Sequence, residues 1–113
     1  MGYVRSVNFT IANGQTTSGQ VDLGDGALIG AAVGSPAAIT GANMSVTVAP
    51  IAGGTFNPLR VVGANVSIAI AANTVEAFSG ADMDALSAAR FVKFVSDAAE
   101  GAERSFTAYL RYQ

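Results

Sequence analysis

The side chains that could do chemistry in this chain are Asp22 and Asp25, Asp82 and Asp84, Asp97, Arg90 and Lys93. Either aspartate pair could offer oxygens to a calcium ion, or a proton donor and acceptor to a glycosidic bond. A calcium loop, however, draws about six or more oxygens from a patterned segment, and a glycosidase needs two carboxylates facing each other across a cleft. Aspartates beside glycines read first as turn formers, because the short carboxylate accepts hydrogen bonds from its own backbone. Asp82, Asp84 and Asp97 near Arg90 and Lys93 would form a hydrolytic site only around an activated nucleophile. The chain contains no histidine and no cysteine, so the usual base is missing and thiolate metal sites and disulfides are excluded. Catalysis, metal and cofactor are therefore not expected.

Other candidate motifs meet similar objections. Gly24, Gly26 and Gly30 resemble a dinucleotide fingerprint, but the third glycine falls one residue late and a strand pattern follows where a helix is required. Tyr3, Phe56, Phe78, Tyr109 and Tyr112 could stack on sugars, yet their mixed parity sends several into the core, and tryptophan is absent. Asn8, Asn43 and Asn65 each open a glycosylation triplet, but the first residues lack the basic-then-apolar plan of a secretory signal. Gly2 with Ser6 fits a loose myristoylation pattern, in a segment that reads better as a strand.

Composition bounds the rest. The 113 residues suit one domain, 1–113, and 50% are apolar while only 12% are charged, about half the usual charged share. A surface so poor in charge favours burial against partner subunits. The net charge of −2, with six scattered basic residues, argues against nucleic acid, whose binding depends on clustered Lys and Arg. No apolar run approaches the roughly 20 residues of a membrane span, since Ala27 to Ile39 is broken by Gly30, Gly34 and Pro36.

The elements that would carry these residues are mostly strands. Tyr3 to Ala12 alternates, with Tyr3, Val7, Phe9 and Ile11 apolar and Arg5 the exception on that face. Val21 and Leu23 alternate next, and Ala27 to Val33 is apolar almost throughout, as a central strand is. Met44, Val46 and Val48 give the clearest alternation. Phe56 to Val62 carries Pro58 and suits an edge. Val66, Ile68 and Ile70 follow, then a brief extended piece from Thr74 to Phe78. Ser79 and Asp82 resemble a capping box before one or two helical turns near 80–89. Arg90 to Ser96 and Arg104 to Tyr112 return to strand, the latter with Phe106, Ala108, Leu110 and Tyr112 on one face, and Asp97 to Glu103 between them is a polar loop. About eight strands at this spacing predict an all-β fold, an antiparallel β-sandwich of jelly-roll-like form.

The chain resembles a family of small β-sandwich virion proteins of tailed bacteriophages. The likeness lies in Phe9 to Gly19 followed by Val21 to Gly24, in Leu28-Ile29-Gly30, Pro36-Ala37-Ala38 and Thr40-Gly41-Ala42, and in Val46 to Val48. It continues through the turn Gly53-Gly54-Thr55-Phe56 to Ala89 to Phe94 and Arg104 to Arg111. Asp97 to Glu103 departs from it, being charged where relatives often carry a polar, proline-bearing loop. The resemblance implies a virion component and supplies no catalytic residues. Together with the low charge it leads to the expectation of a capsid decoration or minor head protein that binds major coat subunits. It would act as a homo-oligomer, a trimer favoured, on particles assembled in the bacterial cytoplasm. The two terminal strands would serve as pairing edges, with Tyr3, Phe9, Tyr109 and Tyr112 as contact residues. The alternatives are a glycan- or receptor-binding module and a neck or tail connector.

Overall fold

The computed structural model describes residues 2–113. Its strands are β1 (Tyr3–Ile11), β2 (Val21–Asp22), β3 (Leu28–Gly34), β4 (Asn43–Ala49), β5 (Asn57–Pro58), β6 (Arg60–Val61), β7 (Ala64–Asn65), β8 (Ser67–Ala69), β9 (Val75–Ala77), β10 (Phe91–Ser96) and β11 (Arg104–Tyr112). One helix, α1 (Gly80–Leu86), lies between β9 and β10. All strand pairs are antiparallel. The first sheet runs β1-β11-β3-β9. The second runs β2-β10-β4, and β5 and β8 share the far side of β4. The chain changes sheet at each step from β1 to β4 and again from β9 to β11. This double wrapping makes the antiparallel sandwich jelly-roll-like.

Alternation in sequence becomes alternation in burial. Phe106, Ala108, Leu110 and Tyr112 of β11 point inward against Phe9 and Ile11 of β1. Val92 and Phe94 of β10 and Met44 and Val46 of β4 close the core from the second sheet. Phe9 joins the layers: its ring stacks on Phe94 at 4.4 Å between centroids and on Phe106 at 5.3 Å. Such stacked pairs add about 1 kcal/mol each beyond the area they bury. The short α1 buries Met83 and Leu86.

Beyond the end of the core where β11 begins, a carboxylate is taken out of water. Glu100 is only 1% exposed, in the loop expected to be merely polar. Its Oε1 accepts from the Thr40 N–H (2.8 Å) and Arg104 Nε (3.2 Å), and its Oε2 from the Gly41 N–H (3.0 Å) and Ser96 Oγ (2.9 Å). The Glu100 backbone is bound as well, its carbonyl accepting from Gly14 N–H (2.8 Å) and its N–H donating to Gln15 (3.0 Å). Three loops are thereby tied together. Gly41 must stay a glycine here, because a Cβ would collide with Ser96 Oγ and lie 3.0 Å from Asp97 Oδ1.

Several expectations need correction. β11 is no edge: it lies between β1 and β3, because both of its sides find long partners. The stretch Phe56 to Val62 splits into β5 and β6, since Pro58 cannot donate to a ladder. β6 then turns back on β7 through Val62 (φ 50°) and Gly63 (φ 78°), a two-residue turn of the kind asparagine-glycine favours. The capping box does not form. Ser79 is extended at φ −142° and makes no side-chain cap bond, because the chain enters α1 through Gly80 at φ 56°.

Burial alone would raise the Glu100 pKa, but its four donors outweigh burial and hold the carboxyl below its ordinary 4.5. Asp22, held by Arg90 and the Gly24 N–H, and Asp97, held by the Ala42 N–H and Asn43, are lowered too. A lowered folded-state pKa gives stabilisation that is complete above the unfolded-state value and lost as pH falls through the folded one. Thermal unfolding should therefore move to lower temperature below about pH 4.5. Glu100→Gln should cost about 3 kcal/mol at neutral pH and flatten that acid slope; an unchanged slope would assign it to other carboxylates. Val62→Asn, easing a β-branched residue out of left-handed backbone, should stabilise by about 1 kcal/mol, read as a higher urea midpoint.

Candidate interaction surface

The two sheets turn different faces outward. On the second, Phe56 lies over Lys93, with Nζ 4.6 Å from the ring centroid, and the 50–56 loop is held by Gly53 N–H donating to Gln20 Oε1 at 2.7 Å. That face is partly covered. The first sheet is bare. Register places its outward residues in rows: Val4, Arg111 and Gly30; then Ser6, Tyr109, Ala32 and Ala77; then Asn8, Thr107, Gly34 and Val75. Gly30 and Ala32 leave the middle low, making a depression of about 520 Å³ beside Val4, Tyr109 and Arg111. Tyr109 is 45% exposed, and its ring leans over Gly34, where an added Cβ would come within 2.9 Å of Cε2. Arg111 is the one charged side chain in these rows.

At the end where β1 begins, the sandwich is closed by polar contacts. Arg5, on the inward side of β1, donates to the Asp22 carbonyl (2.9 Å) and to Tyr112 Oη (3.4 Å), and Tyr112 Oη donates to the Leu23 carbonyl. Asp22 accepts from Arg90 at 3.0 and 3.3 Å and from the Gly24 N–H at 2.7 Å. That aspartate is a turn former and ion-pair partner. Among the described residues, no group of three or more potential ligands is placed to hold a metal ion.

The expected contact residues separate. Phe9 and Tyr112 are buried and cannot meet a partner: Phe9 sits at an inward position midway between the sheets, and Tyr112 is sealed beneath Tyr3. Tyr3 is 52% exposed and stacks on Tyr112 with centroids 4.7 Å apart. Tyr3 belongs to the inward side of its strand and Tyr109 to the outward side, so they form no common platform. Phe78 is buried as well. Sequence reasoning overlooked the small residues of β3, although Gly30, Ala32 and Gly34 at every second position were the available signal.

The chain thus belongs by architecture with two-sheet antiparallel sandwiches. No family model matches it, and no curated protein does. Among solved structures it is similar to the SPBc2 prophage-derived protein YomS, with a TM-score of 0.60, 12% identity, and coverage of 98% of this chain and 95% of that one. A looser similarity is to a chain from the disulfide-linked pili of Bacillus endospore appendages, with a TM-score of 0.46, 16% identity, and coverage of 100% and 87%. At such identities the likeness to YomS establishes a shared fold.

Gly34→Ala should lift the Tyr109 ring at a cost of about 1 kcal/mol, altering the near-ultraviolet dichroism of tyrosine and leaving the far-ultraviolet spectrum intact. An unchanged near-ultraviolet signal would mean that the ring does not rest on this glycine.

Proposed function

We propose that this chain is a structural protein of a tailed-phage particle, which binds coat subunits on the head and stabilises the shell without catalysing a reaction. The observation that carries the reading is the outward face of the first sheet, where small and apolar side chains surround Tyr109 with a single charge. Such a face can pack closely on another subunit at little desolvation cost. The prophage origin of YomS supports the setting, and the sequence resemblance supports the location on the particle.

A second reading keeps one feature in its favour. Tyr109, Arg111 and Ser6 border the same depression, an arrangement able to stack on and hydrogen-bond a sugar. The burial of Tyr112 and Phe78 leaves that reading with one exposed aromatic at the depression. Binding of the purified protein to a host glycan array would favour it.

Virions prepared with and without this protein provide the test. Particles that carry it should withstand heating and chelation that open particles lacking it, and Tyr109→Asp should reduce its retention on the particle while leaving its fold intact. Equal resistance of the two preparations would refute the stabilising role.

A further inference from the structure

β1 is a long strand with one side free. It spans nine residues and pairs with β11 without a break in register. Among the described residues, no other group hydrogen-bonds to the main chain of Tyr3–Ile11. In an antiparallel ladder alternate residues turn their N–H and C=O away from the partner, so about four residues of β1 present unpaired groups along the outer side. Natural sheets guard such edges with proline, charged side chains and above all lysine, inward-pointing charges, bulges or short length. β1 is long and has no proline, lysine or bulge. Its single charge, Arg5, is drawn back onto the Asp22 carbonyl and Tyr112 Oη.

Only an extended strand can satisfy this edge, and length decides which one. Among the described residues the other outer strands are β9 and β8 with three residues each, and β2, β5, β6 and β7 with two each. A head-to-tail ring through the first sheet would set nine residues against three. Antiparallel pairing of β1 with β1 of a second copy, about a two-fold axis at Val7, sets nine against nine. In that register Arg5 faces Phe9, Ser6 faces Asn8, Val4 faces Thr10, and no two like charges meet.

The geometry points to a two-fold dimer of this chain, joined by β1–β1 pairing into one continuous eight-stranded sheet. It deepens the proposed structural role by naming a second copy as partner, though it rests on strand lengths and free main-chain groups. It also sets two-fold order in place of the three-fold order expected from sequence.

Light scattering on the purified protein at high micromolar concentration should give twice the chain mass of 11.3 kDa. Ser6→Lys combined with Asn8→Lys sets like charges opposite one another across the axis and should yield single chains with an unchanged far-ultraviolet spectrum. Ser6→Lys combined with Asn8→Glu sets opposite charges there and should restore the dimer. A wild-type mass of one or three chains overturns the proposal, as does a double-lysine variant that stays dimeric. The mass is read without virions, so it can fail while the particle comparison succeeds, and the reverse.

Discussion

Removing a carboxylate from water costs several kcal/mol unless other donors replace the hydration it loses. Glu100 meets that condition with two backbone N–H groups, a hydroxyl and a guanidinium. Each donor comes from a segment that must be in its final place: the 40–41 turn, the end of β10 and the start of β11. Its own backbone holds the 14–15 turn in addition. The loops at this end thus cannot be arranged independently, and the ends of β1, β10 and β11 are set with them. At the opposite end, Arg5, Tyr112 and Asp22 do similar work with weaker, more exposed contacts. Phe9, stacked between the sheets, lies midway.

With both ends closed, what distinguishes this sandwich is the inequality of its surfaces. The second sheet is shielded by the Phe56–Lys93 contact and by short strands that leave little edge to extend. The first sheet has a weakly charged outward face, hollow at its middle, with β1 along its side. Face and edge adjoin, since Val4 and Ser6 belong to both. A partner on one is therefore adjacent to any partner on the other, and a continuous sheet would carry two such faces side by side.

Much of this architecture was legible in the residues. Period-two alternation located β1, β4 and β11, and the nearly continuous apolar run placed β3 inside a sheet. Parity also separated inward from outward side chains on β11. It could not say that β11 lies between two strands, because pairing partners are settled by long-range packing and not by local pattern. The Val62 turn was hidden, since a valine at positive φ contradicts the turn chemistry from which such turns are read. Glu100 was hidden for another reason: burial of a charge in a loop leaves no periodic trace, and half of its donors are backbone groups some 60 residues away in the chain. Of the four expected contact residues two, Phe9 and Tyr112, are buried, for tyrosine and phenylalanine look alike in sequence whether they face the core or the exterior.

The pairing of Tyr3 with Tyr112 has a bearing on how the molecule comes into being. β1 leaves the ribosome long before β11, its one neighbour in the sheet. Until β11 follows, β1 has no partner on either side, and the inward side chains of Phe9 and Ile11 lack Phe106 and Arg104 opposite them. Topologies with so many distant pairings fold slowly and expose sticky intermediates. Synthesis therefore passes through an interval in which the nascent chain is most prone to clump, and that interval closes with the nine residues of β11.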